Sequence, residues 1–150
     1  MLIAIFGESC TGKSTLAGML KERLGGEVWT GKDYLRLARD EAGAKKLFCE
    51  KLREAVTGGP LIYVIAEREH LALLPEGAVR VLVTAELEVI KERFAARMHG
   101  VLPPPVAAML EGKHGCFDGE DWDFHVISGE TEMGEICNQM IALRGEGAAL

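Results

Sequence analysis

Short apolar runs alternate along this chain with stretches in which apolar positions recur every three to four residues. Leu2–Phe6 (LIAIF), Leu61–Ala66 (LIYVIA) and Val79–Thr84 (VRVLVT) are of the first kind, as expected of strands covered on both faces of a sheet. Val28–Thr30 and Phe124–Ser128 are shorter, weaker candidates for a second and a fifth strand. Leu16, Leu20 and Leu24 mark a helix that begins near Lys13 and stops at Gly25-Gly26. The pattern predicts helical chain from Asp33 to about Val56, with Gly43 the point where it would break. A further helix is expected over Glu86–Met98, with Leu87, Ile90, Phe94 and Met98 on one face. A last one is expected over Thr131–Arg144, followed by a frayed tail. His99–Trp122 is rich in Gly and Pro and has no period, so it reads as an irregular segment. Strands separated by helices imply right-handed βαβ units. The expected fold is therefore α/β, a three-layer α/β/α domain over residues 1–150 with a parallel five-stranded sheet. Ligands of such sheets bind beyond the carboxyl ends of the strands, which directs attention to the loops after Phe6, Thr30, Ala66, Thr84 and Ser128.

Composition narrows the partners. The 150 residues suit one core. A net charge of −6 argues against non-specific nucleic-acid binding, which needs a cationic surplus to displace counterions. No apolar stretch approaches the roughly 20 residues of a membrane span, and the first residues lack the basic leader of a signal peptide. The four cysteines (Cys10, Cys49, Cys116, Cys137) include no C-x-x-C pair. A soluble cytoplasmic protein is expected, with neither nucleic acid nor membrane as partner; no oligomeric state is assigned.

One segment carries specific chemistry. Gly7-Glu8-Ser9-Cys10-Thr11-Gly12-Lys13-Ser14, followed by Thr15, fits G-x-x-x-x-G-K-[ST]. Glycines at the two fixed positions permit backbone conformations that a Cβ hinders, so the loop can curl with its amides inward at the positive end of a helix. Lys13 then reaches the β- and γ-phosphates of a bound nucleotide and the Ser14 hydroxyl ligates Mg²⁺. The motif lies between a buried strand and an amphipathic helix, the setting that distinguishes it from a chance Gly-rich turn. A purine nucleoside triphosphate, ATP in the first instance, is the expected ligand.

The motif in this architecture resembles the P-loop kinases of small molecules, the group of nucleoside monophosphate kinases and shikimate kinases. The resemblance runs over most of the chain, but its specificity rests on Gly7–Ser14; the other matches are positional. The chain has no N-K-x-D sequence, no acid-ended Walker B strand and no helicase motif. The resemblance implies a charged residue after the second strand, and Asp33 stands there, able to take an acceptor's proton or to hold Mg²⁺ through water; a helix cap is its other reading. It implies arginines for the acceptor on the following helix, matched by Arg36 and Arg39, which solvated surface arginines would match equally. Glu67, at the end of the third strand, is a second candidate for the metal's water and also an ordinary helix start. Arg93 and Arg97, one helical turn apart before His99–Trp122, match the family's lid arginines, which neutralise the transferring phosphoryl group. The other reading is a surface pair balanced by Glu88 and Glu92. Residues 99–122 then correspond to the lid, and Ser128-Gly129-Glu130 to the turn that holds the adenine by backbone contacts. His114, Cys116 and Asp118 within that lid lack the paired-cysteine spacing of a structural zinc site.

Two functions fit. The first is an ATP-dependent phosphotransferase with a small-molecule acceptor, either a nucleoside monophosphate or a hydroxyl metabolite. The second is a nucleotide-sensing protein that keeps the loop and transfers nothing, favoured by the missing Walker B acid and the short acceptor region.

Overall fold

The computed structural model describes residues 1–149. Five strands, β1 (Leu2–Phe6), β2 (Glu27–Thr30), β3 (Leu61–Ile65), β4 (Val79–Thr84) and β5 (Phe124–Ile127), form one sheet in the order β2-β3-β1-β4-β5. Every pairing is parallel, with Leu2 opposite Leu61, Phe6 opposite Ile65 and Leu82, and Thr84 opposite Ile127. The helices are α1 (Lys13–Leu24), α2 (Glu41–Thr57), α3 (Leu87–Arg97), α4 (Pro104–Lys113) and α5 (Met133–Ala149).

Period-two alternation sorts β1 between two cores, the consequence of Cβ atoms pointing to opposite faces of a strand. Leu2, Ala4 and Phe6 pack with Phe48 and Leu52 of α2, with Tyr34 and with Phe117. Ile3 and Ile5 pack with Leu16 and Leu20 of α1 and with Cys137 and Met140 of α5. A smaller cluster of Cys10, Ala85, Ile90 and Leu110 joins the phosphate loop to α3 and α4. Central β1 and β3 are buried at all five positions, which explains their unbroken apolar sequences.

The structure corrects the reading in three places. The helical region after Asp33 breaks at 38–40 and not at Gly43: a 3₁₀ turn, Asp33–Leu37, ends on extended Ala38, and Asp40 starts α2 by accepting the Gly43 amide at 2.7 Å. Within the segment read as irregular lies α4, begun by prolines, which are tolerated in a helix's first turn. The last helix runs to Ala149, past the expected end at Arg144. Elsewhere boundaries shift by one or two residues.

Candidate nucleotide-binding site

At the carboxyl end of β1 the chain turns sharply between its two neighbours. The Gly7 amide donates to the Ile65 carbonyl of β3 at 3.2 Å. On the other side, a Cβ built on Gly7 would stand 2.1 Å from the Val83 carbonyl oxygen of β4, so only glycine fits. Cys10 (φ 62°) and Gly12 (φ 107°) are both left-handed, and such turns within a right-handed chain direct successive amides into one concavity. Thr11, fully buried, closes the loop through Oγ1 to the Glu8 carbonyl at 2.9 Å.

Helix α1 leaves this loop without a side-chain cap and with no acid in its first turn. Helix α2, by contrast, is capped by Asp40 and carries Glu41 in its first turn. The amides at the start of α1 therefore face the cavity with no side-chain acceptor, the arrangement that suits an anion.

Ser9, Cys10, Gly12, Lys13, Ser14 and Thr15 line a cavity of about 220 Å³, closed by Thr30, Val64, Ala66 and Arg97. That volume is below the roughly 300 Å³ at which whole-ligand pockets begin, and it suits a polyphosphate with its cation more than an entire nucleotide. Two larger clefts, of about 510 and 530 Å³, adjoin Val56 and Thr57 at the end of α2 and carry no phosphate-binding loop.

Lys13 is 7% exposed, and its ammonium donates to the Glu8 carbonyl. Loss of solvent pushes its pKa down to about 8; the nearby Arg97 cation adds to the fall, and Cys10 and Glu8 oppose it. Lys13 is thus a buried cation awaiting an anion.

The two arginines of α3 part company. Arg93 reaches across the loop, donating to the Cys10 carbonyl at 3.0 Å and to Ser128 Oγ at 2.8 Å. It ties the phosphate loop to the turn after β5, and neither Glu88 nor Glu92 forms an ion pair with it among the described residues. Arg97, in the last turn of α3, lines the cavity and makes no ion pair among the described residues.

Acceptor-side candidates are less concentrated. Exposed Asp33 accepts the Thr30 amide at 2.9 Å through Oδ2, closing the turn after β2 beside a residue of the cavity wall. Arg36 places its guanidinium over the Trp29 ring, 4.1 Å from the centroid; Arg39 is exposed. Glu67 faces Lys113 of α4 at 3.6 Å, an exposed pair, and follows Ala66 of the cavity wall. Among the described residues no three His, Cys, Asp or Glu side chains converge as a metal site.

Part of the segment 99–122 packs on the phosphate loop and on Phe6 before it. Leu110 packs with Cys10. Phe117, 2% exposed, meets Phe6 with ring centroids 5.7 Å apart. Glu8 Oε1 lies 3.0 Å from His114 Nδ1, and Glu8 Oε2 accepts the Gly115 amide at 3.2 Å. The Glu8 and Arg93 contacts span 106 and 83 residues, and no local pattern marks them.

No protein-family model matches the sequence, and no curated protein matches it. Solved structures do. The chain is similar to a gluconokinase from Sinorhizobium meliloti 1021 (18% identity, TM-score 0.61, covering 94% of this chain and 89% of that one). It is similar to a shikimate kinase from Bacteroides thetaiotaomicron (14%, TM-score 0.60, 97% and 98%). It is also similar to a tunicamycin resistance protein from Deinococcus radiodurans (23%, TM-score 0.62, 96% and 95%). At these identities the likeness is one of fold, and the fold is that of the P-loop small-molecule kinases.

Proposed function

We propose that the chain transfers the γ-phosphoryl group of ATP to a small acceptor, a nucleoside monophosphate or a hydroxyl metabolite. The observation that carries this reading is the convergence of Lys13, Ser14 and Arg97 on one cavity at the uncapped start of α1. Neighbours in fold that are named kinases support it.

On this reading the loop amides and Lys13 hold the β- and γ-phosphates, and Lys13 leaves the Glu8 carbonyl to do so. Magnesium bound with the nucleotide would neutralise phosphate charge; the Ser14 hydroxyl would be its ligand from the loop, and Asp33 and Glu67, next to Thr30 and Ala66 of the cavity wall, would hold its waters. Arg97 meets the charge that spreads over the γ-phosphoryl oxygens as the bond to the leaving oxygen breaks. With a hydroxyl acceptor, Asp33 accepts the proton of the attacking hydroxyl through the carboxylate oxygen not engaged by Thr30; a nucleoside monophosphate attacks through an ionised phosphate oxygen and needs no base. Arg93 holds the loop in shape, and Arg36 and Arg39 border the acceptor side.

A sensing role is the second reading. It is favoured by the engagement of both carboxylates, Asp33 with Thr30 and Glu67 with Lys113. The deciding experiment measures Mg·ATP binding by calorimetry and ADP formation against a panel of nucleoside monophosphates and hydroxylated metabolites. A kinase consumes ATP with at least one acceptor and, where that acceptor is a hydroxyl, loses turnover in Asp33→Asn while keeping nucleotide affinity. Binding with no turnover on any acceptor points to the sensor, and absence of binding refutes both.

A further inference from the structure

Glu8 occupies a position of the phosphate loop at which the motif accepts any residue. A carboxylate there is electrostatically costly, beside a cavity suited to polyphosphate. Its side chain is only 10% exposed, and Glu8 is not among the residues lining the cavity. Both carboxylate oxygens are engaged, Oε1 by His114 Nδ1 at 3.0 Å and Oε2 by the Gly115 amide at 3.2 Å. The carbonyl of the same residue receives Lys13 Nζ and, at 2.9 Å, Thr11 Oγ1. Four donors from two distant parts of the chain thus meet on one residue.

The partner segment is tightly formed. Gly115 is left-handed at φ 80°, where a Cβ would come 2.9 Å from Asp118 Oδ2, and its carbonyl accepts the Asp118 amide at 3.0 Å. Two residues beyond Gly115, Phe117 is buried against Phe6, which immediately precedes Gly7. The chain returning from α4 is therefore fastened on both sides of Gly7, by packing at Phe6 and by charge at Glu8.

We infer that Glu8 is a positioning residue: through His114 and Gly115 it couples the phosphate loop to the return segment 114–118, and so keeps Lys13 and the loop amides set for nucleotide. This rests on the nucleotide-binding reading above. The physical reason is that without the Glu8 carboxylate the return segment loses its hold on the loop, and without His114 that buried carboxylate must move or stay short of a donor. Either loss displaces the residue whose carbonyl seats Lys13.

The test uses the full chain as Glu8→Ala, Glu8→Gln, His114→Ala and the double Glu8→Ala/His114→Ala, each checked for parent-like circular dichroism. Glu8→Ala and His114→Ala are each expected to weaken Mg·ATP by about fivefold or more, and the double to be no weaker than the worse single, since both act through one contact. Glu8→Gln keeps an acceptor for Gly115 and falls between parent and Glu8→Ala. Without nucleotide, Glu8→Ala should speed amide exchange at residues 114–118 by about tenfold or more while β1 and β3 keep their protection. Losses that add in the double, or singles within twofold of the parent, overturn the coupling; unchanged exchange overturns the fastening. A parent that binds no Mg·ATP refutes the proposed function, and exchange in the nucleotide-free chain still decides whether Glu8 holds the segment.

Discussion

Lys13 offers a quantitative handle on the site because its charge is lost within an accessible pH range. With its pKa lowered to about 8, about one chain in eleven carries a neutral Lys13 at pH 7 and about ten in eleven at pH 9. Mg·ATP is at least about nine-tenths ionised across that range, since a phosphate's second pKa is about 6, so its own titration changes affinity little. A charge-assisted contact to phosphate contributes about 1.5–3 kcal/mol, so the neutral form binds roughly 12- to 150-fold more weakly. Weighting the two forms by their populations, affinity for a non-hydrolysable Mg·ATP analogue should fall about five- to tenfold between pH 7 and pH 9. Binding at pH 9 should take up about 0.5–0.85 of a proton, readable by calorimetry in two buffers of different ionisation enthalpy. The Cys116 thiol, its pKa raised chiefly by burial, is protonated through most of this window. Lys13→Ala should bind at least about tenfold more weakly at pH 7, keep its fold, and show no pH dependence. The stability of the nucleotide-free chain moves the other way. Because the folded pKa lies below the unfolded one, the unfolded chain binds the extra proton between about pH 8 and the ordinary lysine value of 10.5; this group's contribution to stability therefore rises with pH through that window. Affinity constant within twofold from pH 7 to 9, or the same dependence in Lys13→Ala, would refute the assignment of Lys13 to phosphate.

Other parts of the site can be tested separately. Arg97→Ala should lower kcat by ~10³ or more with ATP KM shifting only a few-fold, and Arg97→Lys should restore little, because an ammonium lacks the planar fork; turnover within about threefold of the parent makes Arg97 a surface residue. Gly7→Ala should cost roughly 1–3 kcal/mol of stability and lower nucleotide affinity, since the clash is with the Val83 backbone and no rotamer relieves it; an unchanged Tm contradicts the close approach. Phe117→Ala should cost roughly 3–5 kcal/mol in denaturant unfolding; a loss under about 1 kcal/mol would mean that its packing on Phe6 contributes little. Hydrogen exchange on nucleotide binding should gain protection mainly at residues 98–110, where Val101 is 67% exposed, and little at 114–118; equal protection of 98–110 in both states would remove the lid from the mechanism.

What could be read from the sequence was local. β1, α1 and β4 begin and end where the apolar runs and Gly25-Gly26 place them; β1, buried at every position, leaves an unbroken apolar run that needs no knowledge of the partner strand. The phosphate loop was legible because its motif lies within eight consecutive residues, although what enforces Gly7, the Val83 carbonyl of β4, is distant in sequence. Helix α4 was missed because Pro103-Pro104-Pro105 reads as a breaker, yet prolines in a first turn forgo only amides that a helix start leaves unpaired. The break after the 3₁₀ turn was signalled by Asp40, whose short carboxylate three residues before Gly43 is a capping arrangement; the more conspicuous glycine drew the break instead. The two arginines of α3 look alike in sequence. Only the fold shows that Arg93 faces the Cys10 carbonyl and Ser128 while Arg97 faces the cavity. No periodicity encodes such a distinction.

The strand order has a consequence for how acceptor choice can change. β2 and β3 are sheet neighbours, so everything between them, residues 31–60, leaves and re-enters the sheet at adjacent positions as one uninterrupted stretch. That stretch carries Asp33, Arg36, Arg39 and all of α2, while the phosphate loop, Arg93 and Arg97 lie outside it. It has the form of a cassette. On the proposed reading, a segment of different composition exchanged there by a single crossover at each end would alter the acceptor while the phosphate loop, Arg93 and Arg97 stay as they are, provided it keeps the packing of Tyr34, Phe48 and Leu52.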